Sequence, residues 1–353
     1  MNAAQRKTVQ RRAPPARVVV IGASAGGVHA LQALAASLPA DFAAALLVVL
    51  HVGSHPSILP QLLSRAGPLP ATHARDGEPF QPGHIHIAPP DHHLLVDGAR
   101  LRLSRGPKEH HARPAVDPLL RSAALALGPA VVGVVLTGRL DDGTAGLQAI
   151  KAAGGITVVQ QPSDAVEPSM PASALRFVQV DHCVPLAALG GLLTTLVRGE
   201  AAPAAPHVAA AGASAAASGA GIATHEQALM LSLGDPMQHL QAIATPSPFV
   251  CPDCSGGLWQ IGGAQPPRYR CHTGHAFTLR TLLHAQGEAT DEAVWGALRA
   301  LQEQEMLLHT LLEQQRLQGD SADAARTEQL MRDAAHQADL LRKLLERMPE
   351  PSA

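Results

Sequence analysis

A serine in a run of small residues is the chain's first candidate for nucleophilic chemistry. Residues 22–26 read Gly-Ala-Ser-Ala-Gly, which fits the G-x-S-x-G pattern that places a serine on a tight turn between a strand and a helix. Small neighbours let the backbone bend at Ser24, and the amides of such a turn can stabilise a developing oxyanion. The alternative is a glycine-rich phosphate cradle, although neither G-x-G-x-x-G nor G-x-x-x-x-G-K-S/T occurs in the chain.

A histidine and a pair of aspartates follow two further apolar runs. His51 directly follows the run 43–50, and Asp141-Asp142 comes shortly after the run 130–136. Histidine often serves as a general base, and a carboxylate can orient it and stabilise its imidazolium. Each residue has a simpler alternative, since the chain has 19 histidines and aspartate is a common helix N-cap. Because the carboxyl ends of parallel strands share one edge of a sheet, the three positions together predict a serine-hydrolase site.

The order of these residues along the chain argues against an ordinary lipase or esterase. Here the order is serine, histidine, aspartate, and the serine follows the first predicted strand. An ordinary α/β-hydrolase has the order serine, aspartate, histidine, and its serine comes after several strands.

Three of the four cysteines lie within residues 251–271 and predict a metal site. Cys251, Cys254, Cys271 and His275 give the spacing C-x2-C-x16-C-x3-H, which is typical of a zinc ribbon. Four protein ligands leave no open coordination position, so the predicted zinc is structural and not catalytic. His272 is the alternative fourth ligand, and a set of buried cysteines without metal is the simpler alternative to the whole site.

The other polar clusters favour simpler interpretations. Cys183 is interpreted as a small buried side chain. Asp91-His92-His93 and Glu109-His110-His111 are interpreted as solvated loops, because paired histidines without a third spaced ligand are weak evidence for a metal. A nucleic-acid role for residues 251–277 ranks last, since this segment holds only two arginines and three aromatic rings.

Apolar runs of strand length alternate with helical patterns through the first 200 residues. Continuous apolar strands suit a parallel sheet that is covered on both faces. The pattern therefore predicts a doubly wound, mostly parallel α/β sheet with helices on both faces. The predicted strands are 17–21, 43–50, 83–88, 130–136 and 156–159, with a hairpin at 94–103 and helices at 116–127, 144–153 and 185–197.

Composition and periodicity divide the rest of the chain. Residues 1–16 are predicted to be a disordered basic tail, 17–199 the α/β domain, and the Ala/Pro/Gly/Ser-rich residues 200–222 a flexible linker. A connecting segment at 223–250 is followed by a zinc-ribbon-like module at 251–288 and a helical hairpin or coiled coil at 289–348. The predicted apolar stripes are Val294, Leu298, Leu301, Leu308 and Leu312, then Leu330, Ala334, Leu341, Leu344 and Met348.

Charge and composition exclude several classes of protein. The chain has 353 residues and a net charge of −2, from 27 Lys and Arg against 29 Asp and Glu, which argues against a basic nucleic-acid coat. Four cysteines are too few for a disulfide scaffold. No apolar run has the length of a membrane span, and the basic N-terminus lacks the apolar stretch of a signal peptide. A cytoplasmic protein that is not inserted in a membrane is therefore expected.

Residues 17–197 resemble the catalytic domain of the chemotaxis protein-glutamate methylesterases, the CheB family. The resemblance covers about half of the chain and rests on an ordered series of blocks. This ordered set is far more specific than G-x-S-x-G alone. The blocks are VVVIGASAGG at 18–27, LHV at 50–52, DGE at 76–78, GHIHIAP at 83–89, RPAVD at 113–117, LTG at 136–138 with DG at 142–143, and MP at 170–171.

The resemblance implies a reaction and a role for each residue. Ser24 would be the nucleophile, His51 the base and Asp142 the third member of a triad, with Asp141 at a variable position. The implied enzyme is a serine carboxylic ester hydrolase that forms an acyl-enzyme and releases methanol from glutamate γ-methyl esters. Its substrate would be a methylated chemoreceptor-like protein, with deamidation of receptor glutamines as an accompanying activity. No cofactor is implied for catalysis.

Two positions near the implied site, and the N-terminus, depart from the family pattern. Ala25 stands where threonine is common, but its backbone N–H could still contact an oxyanion. The sequence Gly138-Arg139-Leu140 replaces Gly-Met-Gly, so Arg139 brings a cation to the expected second oxyanion contact. Only sixteen residues precede the first predicted strand, so a covering N-terminal receiver domain is not expected. The esterase is expected to be free of that lid or controlled through its C-terminal half.

An adaptor or scaffold in a signalling array is the alternative function. The C-terminal zinc and helical region would then bind a signalling partner or a second copy of the chain. Capture of a partner that survives Ser24→Ala would favour the adaptor. The intact set of Ser24, His51 and Asp142 favours the enzyme, since a scaffold needs none of the three.

Overall fold

Seven parallel strands form the main sheet of the computed structural model, which describes residues 17–199 and 216–347. The prediction of a doubly wound parallel sheet is confirmed, and a separate two-stranded hairpin packs beside it. The first nine strands are β1 (Val18–Ala23), β2 (Ala45–Leu50), β3 (Ala71–His73), β4 (Ile85–Ile87), β5 (His93–Asp97), β6 (Arg100–Ser104), β7 (Val131–Val135), β8 (Ile156–Gln160) and β9 (His182–Val184). The sheet order is β3-β4-β2-β1-β7-β8-β9, and β5-β6 is the hairpin.

Helices cover both faces of this sheet, as its continuous apolar strands require. The six helices are α1 (Gly27–Ser37), α2 (Leu59–Ala66), α3 (Val116–Leu127), α4 (Thr144–Ala152), α5 (Ser169–Phe177) and α6 (Leu186–Val197). Leucines and alanines of α1, α2 and α6 fill one apolar core, and those of α3, α4 and α5 fill the other together with the β5-β6 hairpin. The two cores bury β1 completely, with every one of its residues shielded from solvent.

The strand order reverses at β1, which lies between β2 and β7. The connection after β1 leads to β2 on one side of it, and the chain later returns on the other side as β7. The connections on the two sides of β1 therefore diverge. Open α/β sheets place their sites in the crevice outside the carboxyl ends of the strands at such a point. Residues just after β1, β2 and β7 are therefore the ones that the fold brings together.

The chain continues after residue 215 with two helices and a second, antiparallel sheet. These elements are α7 (Ala216–Met230), α8 (Pro236–Ile243), β10 (Ala244–Val250), β11 (Gly257–Ile261), β12 (Arg268–Cys271) and β13 (Ala276–Thr278), in the sheet order β10-β11-β12-β13. We call residues 244–278 the cysteine module. The chain up to Thr281 forms one compact unit, so the cysteine module packs against the α/β domain.

Residues from Leu282 onward form the second compact unit, which is helical. Helix α9 (Leu279–Gln318) and helix α10 (Ser321–Leu345) are joined at Gly319-Asp320. Arg316 of α9 forms an ion pair with Glu328 of α10, and Leu341 lines a groove with residues of the opposite end of α9, so the two helices run antiparallel. No helix in the described ranges is long and apolar enough to cross a bilayer.

Several local predictions need correction. Residues 216–222 were predicted as linker but lie in α7, because alanine is the strongest helix former. Strands β3 and β9 and helices α2 and α5 were not predicted, since three-residue strands and short helices carry too little periodicity. On α10, Leu330 and Leu344 are exposed, and the buried positions are Ala324, Thr327, Ala334 and Ala338. Residues 1–16 and 200–215 and Met348 lie outside the described residues.

Candidate active site and cysteine cluster

Ser24 lies in the turn between β1 and α1, at the carboxyl edge of the sheet. Its amide donates to the Thr137 carbonyl oxygen at 2.9 Å, which ties the turn to the segment after β7. Gly26 has a φ of 78° there, and a Cβ at this position would lie 2.7 Å from Val166 Cβ, so only glycine fits. A Cβ on Gly138 would lie 2.8 Å from Ser24 Cβ, which means that two backbone turns meet closely around the serine.

The structure brings Ser24, His51 and Asp142 together. Strand register places Ala23 opposite Leu50, so the residues that follow, Ser24 and His51, are neighbours. The His51 Nδ1 atom lies 3.1 Å from Ser24 Oγ, and its Nε2 atom lies 2.8 Å from Asp142 Oδ2. With Nε2–H donating to the carboxylate, Nδ1 is free to accept the serine proton. The side chain of His51 is 20% exposed and that of Asp142 only 2%, so the ring connects a buried charge to the surface.

Asp142 is buried at the N-terminus of helix α3. Its Oδ2 accepts from the Val116 amide at 2.7 Å, and its Oδ1 accepts from the Asp117 amide at 2.9 Å and the Gly143 amide at 2.8 Å. Sequence analysis offered the N-cap of α4 as the alternative for the aspartate pair, but Gly143 occupies that position. Asp142 instead satisfies two backbone amides of a helix that begins 26 residues earlier.

The surroundings of Asp142 keep its carboxylate ionised. Burial alone would raise its pKa, but the nearby rings of His110 and His51 and the Val116 amide lower the pKa to about 2. An ionised Asp142 can hold the His51 ring in one tautomer and stabilise the imidazolium that forms when His51 takes a proton.

The two residues predicted near the oxyanion lie on either side of Ser24. Ala25 is in the same turn, and its carbonyl accepts the Thr137 hydroxyl proton at 2.9 Å. The Arg139 side chain is 54% exposed and lies 3.4 Å from a carboxylate oxygen of Glu167. Arg139 thus brings its cation to the rim of the site as a neutralised pair with Glu167.

Asp141, the other member of the aspartate pair, faces away from His51 and is equally buried. Its Oδ1 accepts the Thr278 hydroxyl proton at 2.7 Å, which links the loop after β7 to strand β13 of the cysteine module. Burial raises the pKa of Asp141, and His110 and Thr278 partly oppose that rise. The two adjacent aspartates therefore have different partners: Asp142 bonds His51, and Asp141 bonds Thr278 of the cysteine module.

Cys251, Cys254, Cys271 and His275 come together at one end of the antiparallel sheet. Cys251 and Cys254 lie in the turn between β10 and β11, Cys271 is the last residue of β12, and His275 lies in the turn that follows it. One donor atom from each lies within 4.8 Å of the others. His272, the alternative ligand, is exposed and is not part of this group.

The geometry of this cluster fits a tetrahedral ion. Cys254 Sγ lies 3.7 Å from Cys271 Sγ, and Cys271 Sγ lies 3.6 Å from His275 Nδ1. Zinc with tetrahedral bonds of its usual lengths would separate two sulfurs by ~3.8 Å and a sulfur from a nitrogen by ~3.5 Å. The donors are therefore spaced as ligands of one ion, and three thiolates with one imidazole are a set that zinc prefers.

Sequence analysis missed a buried ion network that joins the cysteine module to the α/β domain. Glu109 was interpreted as part of a solvated loop, but it is 1% exposed and bonds Arg121 at 2.7 Å and Arg270 at 2.9 Å. Glu226 of α7 pairs with Arg268 at 2.9 Å and with Arg270 at 3.3 Å. Burial would raise the pKa of Glu109, but Arg121 and Arg270 hold it well below its usual range.

His93 and His110, also predicted to be solvated, are buried as well. His93 bonds the Pro107 carbonyl at 3.0 Å, and burial lowers its pKa to about 4, so it is neutral. His110 bonds Asp117 Oδ2 at 2.8 Å. The signal in the sequence is the density of charged residues between 105 and 121, but Arg270, the second partner of Glu109, lies 161 residues away.

Comparisons with known proteins match the α/β domain. The CheB methylesterase family model matches residues 19–193. Protein-glutamate methylesterase/protein-glutamine glutaminase 4 of Myxococcus xanthus is 40% identical over 185 residues, which are 52% of this chain and 52% of the relative. Protein-glutamate methylesterase/protein-glutamine glutaminase 3 of Anaeromyxobacter dehalogenans is 43% identical over 164 residues, 46% of this chain and 48% of the relative.

A solved structure agrees with the family match. The crystal structure of the Thermotoga maritima CheB methylesterase catalytic domain superposes with a TM-score of 0.50 and 31% sequence identity, covering 52% of this chain and 100% of that chain. The chain spans about half the length of the curated relatives that it matches. The other half of this chain includes the cysteine module and the two long helices.

Proposed function

Residues 19–193 form a domain of the CheB methylesterase family, and we propose that this domain hydrolyses glutamate γ-methyl esters on a chemoreceptor-like protein. One observation carries the proposal most directly. The His51 ring bridges Ser24 Oγ and the buried Asp142 carboxylate, at 3.1 and 2.8 Å. This arrangement has the nucleophile, base and orienting acid of an acyl-transfer site.

In the first half of the proposed reaction, Ser24 is acylated. Its Oγ attacks the ester carbonyl carbon while His51 Nδ1 takes the hydroxyl proton. The oxyanion that forms lies near the positive end of α1, and the Ala25 amide and the Arg139 position supply the proposed contacts. Collapse of this intermediate expels methoxide, which takes the proton from His51 and leaves as methanol.

In the second half, water releases the glutamate side chain. His51 Nδ1 removes a proton from the attacking water, and the acyl bond to Ser24 Oγ breaks as that oxygen regains the proton. The products are a free glutamate side chain and the original enzyme. A primary amide in place of the ester would follow the same steps with ammonia as the leaving group. We therefore propose glutamine deamidation as an accompanying activity.

We propose that the cysteine cluster binds a structural zinc ion. Cys251, Cys254, Cys271 and His275 would be its four ligands, which supply the tetrahedral donor set that the spacing of their atoms fits. A closed ligand set takes no part in the hydrolysis. Its contribution is to fix the two turns of the cysteine module, where few apolar side chains are available to do so. A cytoplasmic location would suit such reduced thiolates.

Methanol release from a methylated receptor tests the esterase proposal. The wild-type chain should release methanol, and Ser24→Ala should reduce kcat by a factor of at least about a thousand because it removes the nucleophile. Ser54→Ala is the matched control, since Ser54 is an exposed serine in the loop after His51. Full activity in the Ser24→Ala protein would refute the proposal.

An adaptor role is the second candidate, and exposed apolar side chains on α9 favour it. Trp295, Met306 and Leu307 are each more than half exposed. Apolar residues on one helix can bind a partner helix or a second copy. Light scattering of the wild-type chain and of Met306→Lys/Leu307→Glu would test self-association. A monomer in both cases would rule out the second copy as the partner.

A further inference from the structure

A group of charged side chains lies buried directly behind the proposed triad. His110 Nε2 is 2.8 Å from Asp117 Oδ2 and 3.5 Å from Asp142 Oδ1, and all three residues are less than a tenth exposed. The 2.8 Å separation is that of a hydrogen bond between the ring and the Asp117 carboxylate. His110 therefore contacts the carboxylate that holds His51, on the side opposite His51.

His110 carries a positive charge in this environment. Burial alone would lower its pKa, but the carboxylates of Asp142, Asp117 and Asp141 raise the pKa to about 10. At neutral pH a cation thus lies behind Asp142, and it partly offsets the negative charge that Asp142 presents to His51. His93, also buried in this region, is neutral.

The end of the cysteine module and the first turn of α9 hold His110 in place. The His110 amide donates to the Ala276 carbonyl oxygen at 2.7 Å, and the ring Nδ1 lies 3.5 Å from the Thr281 hydroxyl. Thr281 in turn bonds Thr278, whose hydroxyl donates to Asp141. Both partners of His110 follow the turn that carries Cys271 and His275.

The backbone at His110 is one that the chain would not adopt without such support. His110 and His111 have φ values of 55° and 59°, in the left-handed region that costs energy for residues other than glycine. The neighbouring Glu109 is fixed by Arg121 and by Arg270 of the module. Strain at a residue that touches the site, maintained by contacts from another element, is a common feature of functional positions.

We propose that His110 is a positioning residue for Asp142. Its buried cation reduces the negative charge that Asp142 presents to His51, and contacts from residues 276–281 hold His110 in place. The proposal rests on the proposed role of the Ser24, His51 and Asp142 set. Its consequence is that residues 276–281 affect how readily His51 accepts a proton. Without the His110 cation, Asp142 would present a stronger negative charge to the His51 ring and hold its proton more firmly.

The test follows the protonation of His51 by NMR in the full chain carrying Ser24→Ala. This background has no nucleophile, so the measurement does not depend on esterase activity. Into it we introduce His110→Asn, because asparagine tolerates the left-handed backbone and removes the charge. The matched control is His93→Asn, which removes a buried histidine that is neutral.

The two variants should differ in the pH at which the His51 ring signal is half-shifted. His110→Asn should move that midpoint upward by at least ~0.5 unit, and His93→Asn should leave it in place. In the enzyme with Ser24 intact, the acid limb of the kcat/KM profile should move upward by the same amount. An unmoved midpoint in a folded His110→Asn protein would overturn the proposal, even if the esterase proposal stands.

A second variant covers the case in which His110→Asn fails to fold. Thr281→Val keeps the volume of the side chain and the His110 charge but removes the hydroxyl that faces His110 Nδ1. We expect a smaller midpoint shift in the same direction as His110 becomes less firmly held. Thr290→Val, which alters an exposed threonine of α9, should produce none. Equal midpoints for Thr281→Val and Thr290→Val would count against the role of residues 276–281.

Discussion

Two adjacent aspartates at the edge of the sheet bind different parts of the molecule. Asp142 accepts from His51 and from two amides of α3, and Asp141 accepts from Thr278 of the cysteine module. The sequence pattern that identified the pair as an aspartate segment could not reveal this division. It arises because neighbouring side chains in the turn after β7 point to opposite sides.

Asp142→Asn should abolish most of the proposed activity and lower the melting temperature, because the asparagine NH2 group faces a backbone N–H from which a carboxylate oxygen accepts. The amide keeps the shape of the side chain, but its NH2 group cannot accept from His51 Nε2–H, so the ring loses its tautomer and its counter-charge. By analogy with other triads, kcat should fall by roughly 10⁴-fold. Methanol release and a thermal melt of the same sample would check both parts, with the exposed Asp41→Asn as control. An Asp142→Asn enzyme within tenfold of wild type would contradict the assignment.

The His110 charge also predicts a pH dependence of stability. Because its pKa is raised to about 10 in the folded state, its contribution is fully present below the unfolded value of ~6.5 and is lost as the pH rises through about 10. Asp117, Asp141 and Asp142 face the ring, together with the Thr281 hydroxyl.

Urea unfolding measures this dependence. The stability difference between wild type and His110→Asn should narrow between pH 6.5 and pH 10. For His93→Asn the difference should stay constant over that window, because burial lowers the pKa of His93 to about 4. A difference that is constant or widens for His110→Asn would mean that the ring is not a buried cation.

At the scale of elements, the parallel sheet was the most predictable part of the molecule. Buried strands such as β1, β2 and β7 are continuous apolar runs, which are typical of strands in a parallel sheet that is covered on both faces. The residues that follow them could therefore be placed at one edge from sequence alone. Strands β3 and β9, with three residues each, depend on neighbouring strands for their definition and carry no such pattern.

The second long helix shows a different limit of sequence interpretation. Leucines suggested the buried stripe of α10, yet Leu330 and Leu344 are about half exposed while Ala334 and Ala338 are buried. Small residues let helices approach closely, so alanine can mark a packed face as well as leucine can. A hydrophobicity scale that ranks leucine above alanine selects the wrong face.

The cysteine cluster yields a prediction at this scale as well. The purified chain should contain one zinc per molecule by elemental analysis, and Cys254→Ser should reduce that content because one of four ligands is lost. Cys183→Ser is the matched control, since Cys183 lies on β9 and outside the cluster.

Thiol labelling supplies an independent readout. In the wild type Cys251, Cys254 and Cys271 should react slowly before a chelator is added and readily afterwards, whereas the rate for Cys183 should not depend on the chelator. Metal-free wild-type protein with slow thiol reactivity would favour the simpler interpretation, a buried cysteine set without metal.

At the scale of the whole molecule, the division of the chain differs from what composition suggests. The Ala/Pro-rich stretch suggests a domain boundary near residue 200, but the first compact unit extends to Thr281. Arg270 and Glu226 follow that stretch and pair with Glu109 and Arg121, respectively, which precede it. Because these partners are distant in sequence, only the folded chain reveals that residues 216–281 complete the α/β domain.

Two truncations test this organisation. Removing residues 282–353 should leave a folded protein with the proposed activity, since it removes the second compact unit alone. Removing residues 201–353 should destabilise the rest, because it removes Arg270 and Glu226 from the buried ion network and uncovers the surface against which they pack. Chemical denaturation and methanol release of both fragments provide the measurement. An equally stable and active fragment 1–200 would show that the cysteine module is dispensable.

The central claim is that His51 activates Ser24 as a nucleophile. The most direct measurement is covalent labelling of the full chain by a fluorophosphonate, with the labelled residue identified by mass spectrometry. We predict rapid labelling of Ser24 in the wild type and in Ser54→Ala, and labelling slowed by at least about a hundredfold in His51→Ala. Labelling of Ser24 at the same rate in wild type and His51→Ala would contradict the account.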